Sequence, residues 1–254
     1  MKIEKIIKTN NGKYKVELDN KEKIVTYDVV IINNNLLYKK EIDSEILNKI
    51  NNDTSYYNIY NKVIKYINIR LRSEKEINLY LDKIGVKEEK ENIIKNLKKD
   101  NMINDRVFSR SYINDKFNFS NYGINKIRKD LLEHNISKEV IEEELLIITN
   151  EDIINKLRKY VLKKSKVNKK SLYLFKQKMI NELINLGYDL DDINLVLSEI
   201  KQNDDVLEKN YNIIYNKLSK KYEDEELIFK VKQKLFQKGF NKDEIEEYIK
   251  KRNF

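Results

Sequence analysis

The sequence has 254 residues, of which 40% are hydrophobic and 37% are charged, and its net charge is +9. It contains no Cys, no Pro and 5 Gly; the lack of Cys excludes disulfides, thiolate metal sites and Cys nucleophiles, and the scarcity of Pro and Gly favours long helices joined by short polar turns. The basic excess indicates a nucleic acid or an acidic partner, but Lys, Asn and Ile all have A/T-rich codons, so codon bias explains much of the Lys equally well.

The first predicted element is a small antiparallel β-meander followed by a short helix, over residues 1–35. Apolar and charged residues alternate from Tyr14 to Leu18, which is the periodicity of a strand. Asn11-Gly12, just before it, predicts a two-residue hairpin turn, because both residues tolerate a positive φ. The neighbouring strands are expected at Lys2–Lys8 and Lys23–Tyr27, and Asp28 is expected to cap the helix.

From about Asp43 onwards, apolar residues recur three or four positions apart, which predicts a series of amphipathic helices. Two stretches fit or resemble a capping box at a helix start, Ser73–Glu76 and Asn241–Glu244. Ser137 and Asp189 are expected to cap helices in a similar way.

An internal repeat organises this helical part of the chain. Gly or Asn, which accept the left-handed conformation just after a helix, recurs at intervals of about 50 residues, each time followed by an apolar residue, a polar stretch and a further helix. The four positions are Gly85, Asn135, Gly187 and Gly239. The core of the next helix begins later after Gly85 than after the other three, which predicts a two-residue insertion there.

The predicted fold is therefore mainly α: tandem three-helix repeats in an elongated curved array, with the β-meander at the N-terminus. A three-helix unit of this length buries its apolar face poorly when alone, and stacking against neighbouring units buries it. The expected ranges are 1–35 for the β-meander and short helix, 36–52 for a connecting helix, and 53–103, 104–149, 150–203 and 204–254 for repeats 1 to 4.

The residue types that carry catalysis or bind metals are scarce. The sequence has neither of the common glycine-rich phosphate-binding patterns, and His134 is its one His, which without Cys makes no zinc site. Acidic clusters such as Glu142–Glu144 and Glu223–Glu226 fall near helix starts or on exposed faces, where carboxylates favour the helix dipole and solubility. We therefore expect a binding protein with no enzymatic activity, no cofactor and no metal.

Signals for export or membrane insertion are also missing from the sequence. The first residues carry no apolar run flanked like a signal peptide, and no stretch of about 18 apolar residues occurs. We expect a soluble, cytoplasmic protein.

Seven basic residues are candidates for contacts with a partner or with DNA. They concentrate around the first and second repeats, and Arg is informative in a chain where Lys is the default, because its planar fork binds carboxylate or phosphate through two hydrogen bonds. The candidates are Arg70, Arg72, Arg110, Lys116, Lys126, Arg128 and Lys129. For each of them a solvated helix face is an equally good explanation.

Three segments resemble the motifs of the RecX family, and they occur in the family's order. Residues 70–81 resemble R-x-R-S-x-x-E-L/I-x-x-Y/K-L, residues 102–112 resemble L-I/L-N/D-D-x-x-F/Y-A/S-x-x-Y, and residues 123–131 match G-x-x-x-I-x-x-x-L. The departures are mild: Met102 for Leu, Ser109 where Ala is common, and Asn135 for Gly. The β-rich N-terminal extension and the fourth repeat resemble the long form of the family found in Gram-positive bacteria.

The resemblance implies a function that the residues alone do not. It implies a monomer that binds RecA in the groove of the filament on single-stranded DNA, and that limits recombination and the RecA-dependent cleavage of the SOS repressor. DNA would be contacted through the filament or directly. Two alternatives stay open: a basic helical-repeat protein that binds nucleic acid without a RecA partner, and a general helical scaffold with an unrelated partner. The Tyr on predicted core faces argue against the first, and the ordered motifs argue against the second.

Overall fold

The chain folds into a small sheet followed by a series of helices, and the computed structural model describes residues 1–201 and 204–252. The strands are β1 (Ile3–Lys8), β2 (Tyr14–Leu18) and β3 (Lys23–Thr26). The helices are α1 (Asp28–Asn33), α2 (Ser44–Ile67), α3 (Glu74–Lys83), α4 (Lys90–Lys99), α5 (Asp105–Phe119), α6 (Ile124–Glu133), α7 (Lys138–Leu145), α8 (Asn150–Lys166), α9 (Leu172–Asn185), α10 (Leu190–Ser198), α11 (Asp204–Leu218), α12 (Asp224–Gln237) and α13 (Lys242–Arg252). The mainly helical fold with an N-terminal β-meander is confirmed.

The three strands form one antiparallel sheet in the order β1-β2-β3. The alternation in β2 places Val16 and Leu18 on the buried face, where each is 1% exposed. These side chains belong to one apolar cluster with Val30 and Ile31 of α1 and Ile50 of α2. The sheet is therefore closed on one side by the first two helices.

The predicted two-residue turn between β1 and β2 is wrong. The Thr9 N–H donates to the Lys13 carbonyl at 2.8 Å, so three residues lie between this pair. Gly12 takes the left-handed conformation, with φ of +80°, which is the usual end of a three-residue hairpin loop. The Asn-Gly pair marked the position of the turn but not its length.

The short helix α1 begins one residue earlier than the predicted cap requires. Tyr27 occupies the N-cap position, and Asp28 is the first helical residue. The Asp28 carboxylate accepts from the Val29 N–H at 2.8 Å. Asp28 therefore supports the first turn from inside the helix, where a negative charge favours the helix dipole.

Helix α2 is one continuous element of 24 residues that serves two cores. Asp43 caps it, because its carboxylate accepts from the Ile46 N–H at 2.8 Å. Ile50 packs in the cluster under the sheet, whereas Val63 packs with α3 and α4. The boundary predicted at residue 53 falls inside this helix, and residues 36–52 are not a separate connecting helix.

The residues that define the repeat adopt the predicted left-handed conformation. The φ angles are +79° at Gly85, +62° at Asn135, +86° at Gly187 and +81° at Gly239. The helices that follow the last three begin at Lys138, Leu190 and Lys242, three residues later in each case, whereas α4 begins five residues after Gly85. The two-residue insertion in the first copy is confirmed.

Two of the predicted helix caps form, and their bonds satisfy backbone N–H groups that a helix start leaves unpaired. Ser73 and Glu76 make both bonds of a capping box, with the Glu76 N–H 3.3 Å from the Ser73 hydroxyl and the Ser73 N–H 3.1 Å from the Glu76 carboxylate. Ser137 accepts from the Val140 N–H at 3.4 Å. The sequence therefore fixes where α3 and α7 begin.

The other two predicted caps differ from a simple capping box. The Asn241 N–H donates to the Glu244 carboxylate at 3.3 Å. The Asn241 side-chain oxygen accepts from the Asp243 N–H at 3.1 Å, whereas in a capping box it would accept from the N–H of Glu244. Asp189 occupies the N-cap position of α10, but its side chain makes no capping bond there. Its carboxylate instead accepts from the Asn125 amide at 2.8 Å, because α6 of the preceding repeat lies against this turn.

The chain divides into two compact units, residues 1–108 and residues 109–254, with α5 crossing the boundary. The first unit contains the cluster under the sheet and a cluster of α2, α3 and α4. The second contains separate clusters for α8–α10 and for α11–α13. The four repeat ranges stay a prediction, and their limits include residues 202, 203, 253 and 254, which lie outside the described residues.

Within the second unit, successive three-helix groups meet through glycine backbone. The Gly123 N–H donates to the Leu186 carbonyl at 2.7 Å, and the Asn125 N–H donates to the Gly187 carbonyl at 3.0 Å. A Cβ atom on Gly123 would lie 2.4 Å from the Gly187 oxygen, and one on Gly187 would lie 2.2 Å from the Lys126 nitrogen. Only residues without a side chain allow the start of α6 to approach the end of α9 so closely.

A second joint of the same kind connects α9 with α12. The Ser171 hydroxyl, at the start of α9, donates to the Lys238 carbonyl at the end of α12 over 2.9 Å. A Cβ atom on Gly239 would lie 2.8 Å from the same hydroxyl oxygen. The start of α6 therefore meets the end of α9 in the first joint, and the start of α9 meets the end of α12 in the second. Each of these helices is the middle one of its three-helix group.

Candidate partner-binding surface

Arg70 and Arg72 lie in the turn between α2 and α3, and both contact other residues of the first unit. Arg70 donates to the Glu76 carboxylate and to the Leu71 carbonyl at 2.9 Å. Hydrogen bonding to Glu76 raises the pKa of Arg70. Half of the Arg70 side chain, 53%, stays exposed.

Arg72 is an internal side chain with 11% exposure. Its guanidinium carbon lies 3.9 Å from the ring centre of Tyr66, and that ring stacks on Tyr80 at 4.3 Å. A guanidinium over an aromatic face is a favourable packing arrangement. Arg72 therefore joins α2 to α3, so reversing its charge would disturb the packing of these helices as well as the surface.

Arg110 and Arg128 each form a two-pronged pair with a carboxylate of α7. Arg110 donates to Glu144 at 2.8 and 3.3 Å, and Glu144 is 3% exposed. Arg128 donates to Glu142 at 2.6 and 3.1 Å, which lowers the pKa of the Glu142 carboxyl. These arginines tie α5 and α6 to α7, although 63% of the Arg110 side chain remains exposed.

Lys116 and Lys126 lie on either side of Tyr122. Each ammonium group is 5.6 Å from the centre of that ring, within the range of a cation–π contact. Lys126 also pairs with Asp130 at 2.8 Å, and Asp130 accepts from the Tyr112 hydroxyl at 3.0 Å. Burial, together with that bond, raises the pKa of Tyr112.

Lys129 is the candidate with the most available charge. It lies on the exposed face of α6 and makes no ion pair among residues 1–201 and 204–252. The structure thus places five of the candidates on α5 and α6 of the second unit, and Arg70 and Arg72 in the first unit.

Lys156 on α8 is a cation that the sequence did not mark. Its ammonium nitrogen donates to the Tyr122 carbonyl at 2.6 Å and lies 4.3 Å from the ring centre of Phe117. Burial lowers the pKa of Lys156 to about 8. The spacing of lysines on a helix gives no signal of such burial, because it depends on the turn between α5 and α6 folding over α8.

The described part of the chain has neither a cluster of metal ligands nor a membrane-spanning helix. No group of three or more His, Asp or Glu side chains there is arranged to hold a metal ion. None of its helices is long and apolar enough to cross a membrane. His134 lies at the C-cap of α6, with its ring 5.7 Å from that of Tyr112.

Comparison with known proteins gives one family along the chain. The model of a family described as "RecX, second three-helix domain" matches residues 104–145. A "Regulatory protein RecX" of Streptococcus agalactiae serotype III (strain NEM316) is 30% identical over 257 residues, which cover 98% of this chain and 99% of that relative. The chain belongs to the RecX family.

Other RecX proteins extend the match. A "Regulatory protein RecX" of Enterococcus faecalis (strain ATCC 700802 / V583) is 27% identical, with 97% of this chain and 96% of the relative covered. A "Crystal structure of regulatory protein RecX" aligns with a TM-score of 0.68 and 25% identity over 78% of this chain and 100% of that one. RecX from Lactobacillus salivarius, with a TM-score of 0.52 and 24% identity, shows the fold alone. The matches name regulatory proteins and no catalytic family.

The RecX motif residues in this chain serve the fold directly. Arg72 packs on Tyr66, and Ser73 and Glu76 form the capping box of α3. Gly123 allows the close joint with the end of α9. The motifs thus identify the RecX architecture, and they leave the exposed charges, such as that of Lys129, as the better candidates for contacting a partner.

Proposed function

We propose that this chain regulates RecA by binding in the groove of the RecA filament on single-stranded DNA, and that it limits recombination and RecA-dependent cleavage of the SOS repressor. One observation carries the proposal: 98% of the chain aligns with 99% of a protein named regulatory protein RecX. The similarity thus extends along nearly the whole chain and is not confined to one three-helix domain.

The contact surface is proposed to include the exposed charges of α5 and α6. Lys129 is exposed, and Arg110 keeps 63% of its side chain accessible while it is paired with Glu144. Arg72 is left out of this surface, because its guanidinium is used in packing. Rim charges of this kind act mainly on the rate of association and on its salt dependence.

The direct test is RecA ATPase activity on single-stranded DNA, titrated with this protein. Occupancy of the filament groove is expected to lower the steady-state rate. Lys129→Glu is expected to raise the half-inhibitory concentration about three- to ten-fold, since a favourable rim charge becomes an unfavourable one.

The matched control is Lys209→Glu, which makes the same charge change at an exposed lysine of α11. Both variants should melt with the wild type, because surface substitutions usually change stability by less than about 0.5 kcal/mol. Equal effects of the two variants would remove Lys129 from the surface. Unchanged ATPase activity with wild-type protein would count against RecA as the partner.

A further inference from the structure

A groove in the second unit is lined almost entirely by cations, aromatic rings and amides. Its volume is about 520 Å³, and α8 forms one wall, which includes one carboxylate and consists of Asp152, Asn155, Lys156, Lys159, Tyr160 and Lys163. Lys159 and Lys163 lie three and seven residues after Lys156, so the three side chains share one face of the helix. The opposite wall comes from the end of α5 and the following turn, with Phe117, Asn118, Ser120 and Asn121.

Lys156 lies in this groove, where its ammonium group contacts a carbonyl and an aromatic ring but no carboxylate of the described residues. Its nitrogen donates to one carbonyl, that of Tyr122, at 2.6 Å, and lies over the ring of Phe117. Among the described residues no carboxylate pairs with it. Burial outweighs the carbonyl and ring contacts, and lowers the pKa of Lys156 to about 8.

The carboxylates near the groove have other partners. Asp152, one turn before Lys156, accepts from the Thr149 N–H at 3.1 Å and from its hydroxyl at 2.6 Å in a capping box. Glu182 accepts from Tyr160 and from Lys164. Asp152 is four residues before Lys156 and could pair with it across one helical turn. Because Asp152 caps α8 instead, its carboxylate is bound to Thr149.

Lys159 and Lys163 are exposed and form no ion pair within the described part of the chain. Two such ammonium groups beside a groove attract a doubly charged phosphate, which lysine binds as a point charge. The groove therefore offers an anion-binding rim and, within it, an amine that is partly neutral at physiological pH.

We propose that Lys156 is an acylation site for small acyl phosphates, with Lys159 and Lys163 holding the phosphate group. The neutral amine attacks the carbonyl carbon of the mixed anhydride, a C–N bond forms, and the C–O bond to phosphate breaks. The electron pair leaves with phosphate, which takes one amine proton and departs as hydrogen phosphate. The product is an uncharged amide, whose remaining N–H can keep the bond to the Tyr122 carbonyl.

The expected selectivity follows from the two protonation equilibria. At pH 7.5 about a quarter of an amine of pKa 8 is neutral, against about one part in a thousand at pKa 10.5. The lower basicity of the amine offsets part of this gain. Acylation of Lys156 should therefore be about ten-fold faster than that of an ordinary exposed lysine.

The experiment incubates the folded protein with acetyl phosphate at pH 7.5 and measures acetylation of individual lysines by peptide mass spectrometry over time. Lys129 and Lys209, both exposed, are internal references. The predicted result is about ten-fold faster acetylation at Lys156 than at either reference. Equal rates at the three lysines would overturn the proposal.

A second comparison separates phosphate binding from amine reactivity. The double variant Lys159→Gln/Lys163→Gln should slow acetylation of Lys156 by acetyl phosphate several-fold, since the charges that attract phosphate are gone. With a neutral reagent, the N-hydroxysuccinimide ester of acetic acid, its rate should change by less than about two-fold. An equal loss with both reagents would show that the two lysines do not hold the phosphate and would overturn that part of the proposal.

Discussion

The arginines that the sequence indicates as candidates for partner contacts bind mainly to other residues of this chain. Arg72 packs on Tyr66, and Arg110 and Arg128 bind carboxylates of α7. Their residue type is informative because the guanidinium fork suits both packing on a ring and a two-pronged pair. The sequence does not reveal which partner is used, since Arg110 and Glu144 are 34 residues apart.

The pair of Arg110 with the buried Glu144 gives a stability prediction. Arg110→Gln should lower the free energy of unfolding by about 1–3 kcal/mol, because a buried carboxylate loses its charged donor. Arg110→Gln/Glu144→Gln should recover part of the loss, since the buried carboxylate charge is then removed together with the arginine that pairs with it. Urea denaturation of the wild type, both single variants and the double variant measures the coupling, and additive losses would show that the pair is not coupled.

Lys156 gives a prediction about pH. Because its pKa in the folded protein is about 8, below the ordinary 10.5, protonation opposes folding, and this cost is fully present below about pH 8. The cost is relieved as pH rises from 8 towards 10.5. Relative to Lys156→Met, which never carries the charge, the wild type should gain stability between pH 7 and pH 10.

Chemical denaturation of both proteins at several pH values checks this sign. Other titrating groups, such as Tyr112, contribute to both proteins and cancel in the difference. A difference in stability that stays constant from pH 7 to pH 10 would mean that Lys156 is solvated like an ordinary surface lysine.

At the scale of elements, local signals predicted helix starts and ends better than contacts between helices. Ser73 and Glu76 form their capping box, and Gly187 takes its left-handed turn, because these features need only neighbouring residues. Asp189 occupies the predicted N-cap position, but its side chain does not cap the helix, because its carboxylate accepts from Asn125, 64 residues away. The length of the turn at Gly12 also depended on strand pairing that the Asn-Gly pair does not specify.

The glycine joint between α6 and α9 predicts a difference between two equivalent glycines. Gly85 and Gly187 have similar positive φ angles, +79° and +86°, but a Cβ atom at Gly85 would meet nothing within 4 Å, whereas one at Gly187 would clash with Lys126. Gly85→Ala should cost about 1–2 kcal/mol from backbone strain. Gly187→Ala carries the same strain and also separates two helices, so it should cost clearly more.

Thermal and urea unfolding of the two alanine variants measures this difference. Gly85→Ala is the matched control, because it isolates the left-handed backbone from the close approach. Equal losses in the two variants would show that the joint relaxes freely and that strain alone explains the preference for glycine.

Across the whole molecule, periodicity and the repeat interval predicted the order of strands and helices. They could do so because each apolar stripe and each left-handed turn depends on residues that are close together in the sequence. The predicted boundary at residue 53 lies inside α2, because the apolar pattern of that helix continues from one core into the next. The candidate surface was less predictable, because exposure depends on packing. The proposed function rests on the resemblance to RecX, and the membership of the chain in that family supports the proposal.

The proposed function requires that this protein bind RecA on DNA rather than DNA itself. The measurement is the affinity of labelled protein for RecA filaments on single-stranded DNA and for the same DNA alone, over a series of salt concentrations. We expect much tighter binding to the filament and weak binding to naked DNA. Equal or tighter binding to naked DNA, with a log-affinity against log-salt slope near −4, as expected for about six phosphate contacts, would contradict it.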